Sequence, residues 1–196
     1  MNKYIQSLIV SVLFFQASLF SQKNMAEYNC LWEKEKVIGY AMYQLSIDAS
    51  FSSEYSEKLK ALELINKAIS LNSNVAEFYQ RRAQTYFDLK EYEKAVSDFN
   101  QALKYEHCFK EDVAVNYFQT GRCYLQLKLY NLACVNLKSA ITIRNEIGKK
   151  IPDSYYYFYA ESLFYLGKKK EACVQLGMLQ SLEYIDVDST LIDYCK

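Results

Sequence analysis

The sequence predicts an all-α fold in which antiparallel helical hairpins stack side by side. Three observations favour this class. The 196 residues include only 5 Gly and 1 Pro, so residues that break helices are rare. Apolar residues recur at helical spacing, and no sustained alternation typical of strands is present. Small residues also return at intervals of 34 to 39 positions, which is the period of a repeat protein.

The N-terminal 21 residues differ from the rest of the chain. Met1 to Lys3 is a short positive start, the run from Tyr4 to Phe20 is mostly apolar, and Ser21 supplies a small residue for cleavage. This order is typical of a secretory signal peptide. We therefore expect an exported protein, periplasmic or secreted, without membrane insertion after cleavage. An uncleaved anchor is the alternative, although the apolar run is shorter than the ~20 residues of a spanning helix.

The remainder divides into helical hairpins joined by short polar links. A polar lead-in at 22–30 precedes them, and Asn74 with Glu77 forms a predicted capping box at the start of the clearest hairpin. The predicted helices lie at 31–47, 57–71, 74–89, 92–105, 113–127, 130–144, 154–166 and 169–182. They form a degenerate first hairpin at 31–73, three further hairpins at 74–107, 113–146 and 153–183, and a capping tail at 184–196 with a short helix from about Ser189.

The hairpins share columns of small residues. Ala61, Ala95, Ala133 and Ala172 occupy the same place in successive return helices. Two helices that cross at close range need a missing side chain at the contact, so these columns mark helix packing. A single hairpin cannot bury its apolar face alone, and several must therefore stack. The matching column in the leading helices, twelve positions earlier, contains Ala83, Gly121 and Ala160.

The clearest copy resembles a tetratricopeptide repeat. It contains Tyr79-x3-Ala83-x2-Tyr86, followed by Tyr92-x2-Ala95-x3-Phe99-x2-Ala102. The copies at 113–146 and 153–183 match more weakly, and the latter has Lys169 where an aromatic residue is usual. The resemblance implies a right-handed superhelical stack of three to four repeats. It also implies a protein or peptide partner, held in the concave groove that the leading helices form.

The resemblance carries a set of groove positions onto this sequence. In the family's best-known groove, Lys and Asn clamp a C-terminal carboxylate, but Gln80 and Gln84 stand at those positions here. Binding of a chaperone tail is therefore not implied, and the mixed polar and aromatic groove suits an extended peptide or a partner helix. The predicted groove residues are Glu77, Gln80, Gln84, Phe87, Asp88, Phe118, Arg122, Gln126, Tyr157, Glu161 and Tyr165.

No constellation for catalysis is visible. His107 is the single histidine, and neither a Gly-rich phosphate loop nor a Cys-x2-Cys pair is present. A formal net charge of +0 gives no basic bias toward nucleic acid. The sequence thus favours a non-catalytic adaptor without cofactor or metal. The alternative is a self-associating structural subunit of a cell-envelope assembly.

Six cysteines in an exported chain permit three disulfides. Cys123 and Cys134 lie almost equally far from the predicted turn at 128–129, so a bond between them is possible if both face inward. The alternative is that they act as small apolar packing residues. The aromatic run at 155–159 points in all directions on a helix. Part of it belongs in the core, and the rest is a candidate tyrosine-lined surface.

Overall fold

The computed structural model describes residues 54–105, 109–179 and 189–195, together with Gly39, Tyr43 and Ser46. This part of the chain contains eight α-helices and no strand, which confirms the predicted all-α class. None of these helices is both long and apolar enough to cross a membrane. The helices are α1 (Tyr55–Leu71), α2 (Ala76–Asp88), α3 (Tyr92–Ala102), α4 (Lys110–Gln126), α5 (Tyr130–Glu146), α6 (Asp153–Tyr165), α7 (Lys169–Leu176) and α8 (Ser189–Cys195).

Three complete hairpins follow one another, formed by α2 with α3, α4 with α5, and α6 with α7. Each hairpin also packs against the next, and α1 packs against α2. The predicted signal peptide at 1–21 and the lead-in at 22–30 lie outside the described residues. So does most of the predicted 31–47 helix. The last return helix is shorter than the predicted 169–182 span, because it ends before Gly177, a poor helix former.

The small-residue columns mark the contacts between the two helices of each hairpin, which we call the seams. Ala95, Ala133 and Ala172 are each fully buried. A Cβ atom added to Gly121 would lie 2.5 Å from Cγ of Leu137 and 3.3 Å from the backbone oxygen of Ala133. Since real Cβ atoms do not approach other atoms so closely, α4 and α5 can cross at this distance only with glycine there.

Two arginines bridge the seams through carboxylates. Arg82 on α2 donates to Asp98 on α3 with both Nε (2.6 Å) and Nη2 (2.8 Å). Its Nη1 reaches Asn66 on α1 at 2.7 Å. Arg144 on α5 donates to Glu111 on α4 through Nη1 alone, at 2.7 Å, and its Nε and Nη2 donate to the backbone oxygen of Lys150. These ion pairs tie neighbouring helices together, and the two arginine side chains are largely shielded from water.

One buried polar side chain in the hairpin stack has no such partner. Asn116 on α4 is fully buried, and within the described residues neither its amide oxygen nor its amide nitrogen has a hydrogen-bond partner. Its backbone oxygen does accept a hydrogen bond from Thr120 at 2.8 Å. The unsatisfied side-chain amide is an energetic cost, because it loses its hydrogen bonds to water on folding.

The turns of the hairpins share one backbone conformation. Lys90, Lys128 and Gly167 follow the leading helices and have φ angles of 61°, 58° and 81°. In each turn the next residue donates its backbone N–H back to the helix, as Leu129 does to Tyr124 at 2.8 Å. Such left-handed residues end helices, and glycine adopts them without steric cost. Two of the three turns therefore use a lysine where glycine fits better.

The predicted capping box does not form. Helix α2 begins at Ala76, and its N-cap residue Val75 makes no side-chain capping bond. The backbone N–H of Asn74 instead donates to Oδ1 of Asn72 at 3.0 Å. Asn74 thus lies one residue too early to cap the helix, because the turn at 72–74 is closed by Asn72.

The cysteine prediction is corrected. Cys123 and Cys134 are both free thiols, whereas Cys173 on α7 is bonded to Cys195 on α8. Cys123 packs toward the preceding hairpin with Ala83 and Phe99, whereas Cys134 packs into the apolar cluster of α6 to α8. The two thiols therefore face opposite neighbours, although they are nearly equidistant from the turn. Burial raises the pKa of Cys123 to about 12 and keeps its thiol protonated.

Helix α8 covers the end of the last hairpin. Leu191 is fully buried in the cluster formed by α6 and α7. Lys169 lies between two aromatic rings, with its Nζ 5.0 Å from the centre of Phe164 and 4.8 Å from that of Tyr194. The disulfide, the buried leucine and the ring contacts hold the predicted capping helix in place.

Candidate binding groove

The leading helices α2 and α4 enclose a pocket of about 210 Å³. Three predicted groove residues, Glu77, Gln80 and Gln84, line it from α2. These positions share one face because they are three and four residues apart on a helix. The sequence analysis missed the other lining residues, although Val115 and Gln119 are the α4 equivalents of Glu77 and Arg81 at the 38-residue repeat offset. The full lining is Tyr43, Glu77, Gln80, Arg81, Gln84, Phe99, Val115 and Gln119.

Three leading helices meet at a second feature, around Arg122. Its guanidinium carbon lies 4.6 Å from the ring centre of Phe87 on α2, 5.1 Å from that of Phe158 on α6 and 5.8 Å from that of Phe118 on α4. We call these four residues the arginine cluster. Ring faces attract cations, so the rings hold the guanidinium in place. The sequence predicted Phe87, Phe118 and Arg122 as groove residues but missed Phe158.

Few polar groups of the described residues contact the charged end of Arg122. Within the described residues its side chain makes one hydrogen bond, from Nη1 to Oε1 of Gln119 at 2.9 Å. No carboxylate in that part of the chain forms an ion pair with it. Burial lowers the pKa of Arg122, and the nearby carboxylate of Asp88 acts in the opposite direction. The guanidinium still remains charged, because the ordinary pKa of an arginine lies far above neutral pH.

Some predicted groove residues lie in the core instead. Tyr157 is only 1% exposed and packs edge-on against Phe158. Phe118 is 8% exposed and stacks on Tyr155 with 4.0 Å between ring centres. Helix α6 is apolar almost all round because it packs against α5 and α7 and contributes to the cluster with α8. Tyr157 is therefore corrected to a packing residue, and Phe118 forms the floor of the arginine cluster.

The remaining predicted residues lie at the ends of the leading helices or beside them. Asp88, Gln126 and Tyr165 are the last residues of α2, α4 and α6, and all three are exposed. Asp88 accepts a hydrogen bond from Nε2 of Gln84 at 2.9 Å, and Tyr165 stacks on Tyr130 at 4.9 Å. Glu161 on α6 is half-buried. The exposed residues thus form a rim at the hairpin turns.

The groove offers hydrogen-bonding groups, aromatic surface and charged side chains, among them Arg81 and Arg122. Within the described residues, no group of three His, Cys, Asp or Glu side chains is arranged to hold a metal ion. His107 lies outside those residues. The arrangement of Gln80, Gln84, Phe87 and Arg122 is suited to contacts with an extended polypeptide, which presents backbone amides and side chains in turn.

Comparison with known proteins gives the same repeat type. Residues 76–107 match the family model of the tetratricopeptide repeat. The DnaJ homolog subfamily C member 7 homolog of Schizosaccharomyces pombe is 33% identical over 132 residues, which are 66% of this chain and 24% of that protein. The chain therefore spans about a quarter of the length of this curated relative.

Several solved structures share the fold. YrrB, a TPR protein with an unusual peptide-binding site, superposes with a TM-score of 0.56 at 21% identity, covering 76% of this chain and 70% of YrrB. MamA from Desulfovibrio magneticus RS-1 gives 0.60 at 15% identity, covering 93% and 97%. PilF of Pseudomonas aeruginosa gives 0.59 at 15% identity, covering 86% and 72%. At these identities the likeness concerns the stacked-hairpin fold.

Proposed function

Because the chain belongs to the tetratricopeptide-repeat family, we propose that it is an exported, non-catalytic adaptor that binds a segment of a protein partner in its groove. The arginine cluster is the observation that carries this proposal. Phe87, Phe118 and Phe158 come from three successive leading helices and converge on one charged side chain. A binding site built from several repeats fits an extended ligand that crosses them.

Two further observations support a peptide ligand. The pocket beside Gln80 and Gln84 lies between the same leading helices and places side-chain amides at its wall. Amides can donate to and accept from a peptide backbone. In addition, YrrB, which has a similar fold, is described as having a peptide-binding site. The ligand is therefore proposed to be an extended segment rather than a small molecule.

Partner capture with matched variants tests the proposal. Wild-type chain, Phe87→Leu and the outer-surface variant Val135→Ala are immobilised, since Val135 is 63% exposed and lines a separate pocket between α4 and α5. Proteins from the producing cells are captured and identified by mass spectrometry. A partner retained by wild type and Val135→Ala but lost by Phe87→Leu supports the groove. Equal retention by all three baits contradicts it, provided that circular dichroism shows all three folded.

Export is tested separately by the mass of the secreted or periplasmic protein. The apolar N-terminal run followed by Ser21 motivates the expectation that the mature chain starts at Gln22. A mature protein that keeps residues 1–21 and stays with the membrane would instead support the anchored alternative.

A self-associating structural subunit is the second candidate. Three apolar side chains are exposed near the capped end, where Val174, Met178 and Tyr194 are 59%, 55% and 51% exposed. Exposed apolar side chains that lie close together mark interaction sites more often than single ones do. Sedimentation equilibrium distinguishes the candidates. A dimer that Val174→Asp dissociates supports self-association through this end. A protein that stays monomeric at high concentration contradicts self-association.

A further inference from the structure

Arg122 differs from the two seam arginines in what surrounds its charge. Arg82 and Arg144 each contact a carboxylate at 2.6 and 2.7 Å. Arg122 is also partly buried, but it contacts three phenylalanine rings and the amide oxygen of Gln119. Within the described chain, its Nε and Nη2 atoms have no hydrogen-bond acceptor. The guanidinium therefore keeps several donors for a group that the described residues do not supply.

The surroundings of Arg122 favour an anion as that group. Partial burial removes water from the guanidinium, and a partly buried charge that lacks an anionic partner is costly. Ring contacts recover part of this cost, because the face of each ring is negative. A planar guanidinium matches a carboxylate through two parallel hydrogen bonds, and low solvent access strengthens both.

We propose that Arg122 anchors an Asp or Glu side chain of an extended partner segment, inserted among Phe87, Phe118 and Phe158. This rests on the proposed function, since it specifies the chemistry of the segment that the groove binds. The phenylalanine rings pack against the methylene groups of the acidic side chain and against an apolar neighbour in the same segment.

An internal side chain fits the groove better than a chain terminus does. The pocket at Gln80 and Gln84 lies along α2, one to two helical turns before Phe87, and the exposed Asp88 and Gln126 leave the opposite side of the arginine cluster open, so the bound chain has room on both sides. Asp88 is close enough to act on Arg122 electrostatically, and it disfavours a ligand with two negative charges more than one with a single charge. The site is therefore assigned to a singly charged carboxylate.

Selection from two random peptide libraries tests this assignment. In the first library the C-terminus of each peptide is fused to a carrier, so that only internal side chains can supply a carboxylate. In the second library the C-terminus is free. Both are selected on the full chain, on Arg122→Gln and on Lys138→Gln, an exposed control on the outer surface. Circular dichroism checks that the three proteins are equally folded.

The expected result is an Asp or Glu at one fixed position among fused peptides selected on wild type and on Lys138→Gln, with no acidic preference on Arg122→Gln. For a selected peptide, replacing that Glu with Gln weakens binding by about tenfold or more, as loss of a charged hydrogen-bond pair does. The Arg122→Gln protein should bind the Glu and Gln forms of this peptide equally well, because the two changes remove the same contact.

The other outcomes overturn the assignment in distinguishable ways. Fused peptides without a fixed acidic position, or an acidic position retained on Arg122→Gln, reject the Arg122 anchor but keep the binding groove. Enrichment confined to the last residue of the free library shows a terminal carboxylate instead of a side chain. The absence of any enriched peptide on wild type contradicts both the anchor and the proposed peptide-binding function.

Discussion

Arginine side chains have different roles in the seams and in the arginine cluster. In the seams, Arg82 and Arg144 meet the carboxylates of Asp98 and Glu111 and join neighbouring helices. In the arginine cluster, Arg122 meets aromatic rings and one amide oxygen. An arginine whose charge is balanced within the chain contributes to folding. An arginine held in place but not balanced is available to a ligand, which is why the cluster is the better candidate for function.

The comparison implies that stability and binding are separable in this protein. Seam variants are expected to change the free energy of unfolding without changing which peptide binds. Variants of Arg122 are expected to do the reverse, because the guanidinium is only partly buried and bridges no helices through an ion pair. Four stability predictions test the structural side of the comparison, in the hairpins and in the turn and cap that join them.

The largest effect is expected for Leu137→Ala. Leu137 is fully buried in the seam between α4 and α5, so the substitution leaves a cavity and lowers the free energy of unfolding by about 2–5 kcal/mol. Urea denaturation measures the change.

Gly121 provides the control for this prediction. In wild type, Gly121→Ala is expected to destabilise the seam, because the new Cβ atom meets Leu137. In the Leu137→Ala background the clash with Leu137 is removed and the 3.3 Å approach to the backbone oxygen of Ala133 remains, so the same substitution should cost less than in wild type. If the effects of the two substitutions simply add, the close approach at Gly121 does not limit packing.

The next effect is expected for Cys195→Ser. It removes the bond to Cys173, which closes a loop across a separation of 22 residues. A bond closing a loop of this size stabilises the folded state by about 3 kcal/mol in the chain-entropy model. Hydrogen exchange should show faster opening of α7 and α8, with little change in α2 and α3. Uniformly faster exchange along the chain would mean that the cap and the hairpins unfold as one unit.

A smaller effect of opposite sign is expected for Asn116→Leu. The substitution removes the buried amide, which lacks partners among the described residues, and keeps the branched skeleton of the side chain, so the free energy of unfolding should rise by about 1–2 kcal/mol if the larger methyl groups fit. Thermal denaturation measures the change against Asn136→Leu, which replaces a more exposed asparagine on α5. A loss of stability specific to Asn116→Leu would show that the amide has a role in the fold.

The smallest effect is expected for Lys128→Gly, which also stabilises. Lys128 has a φ of 58° in the turn between α4 and α5, and glycine relieves its strain. The greater freedom of glycine in the unfolded chain offsets part of this gain, leaving about 0.5–1 kcal/mol. Lys138→Gly, inside α5, is the opposite control and should destabilise. A Lys128→Gly protein less stable than wild type would contradict the assigned turn geometry.

The repeat architecture was predictable because close helix packing requires a small residue at each contact position. Ala95, Gly121 and Ala133 are small whatever their neighbours are, so their spacing revealed the seams. The turns were located to within a residue or two, because each turn lies between two of these columns of small residues. Capping at Asn74 was not predictable, because a shift of one residue decides whether a side chain reaches the helix N-terminus.

The groove was only partly predictable, since it depends on which face of each helix its neighbours cover. Glu77, Gln80 and Gln84 share a pocket as the repeat positions imply. Tyr157 occupies an equivalent position on α6, yet lies buried in the cluster of α6, α7 and α8. The disulfide between Cys173 and Cys195 escaped prediction for a related reason. The docking of α8 on the last hairpin is a tertiary contact that no local pattern specifies.

The most direct test is a crystal structure of the chain with a peptide selected from the fused library. We predict that the peptide crosses α2, α4 and α6, with an internal Asp or Glu carboxylate within hydrogen-bond distance of the Arg122 guanidinium. A peptide bound on the outer surface near Val135, or one in the groove whose carboxylates avoid Arg122, would contradict the separation of seam arginines from the binding arginine.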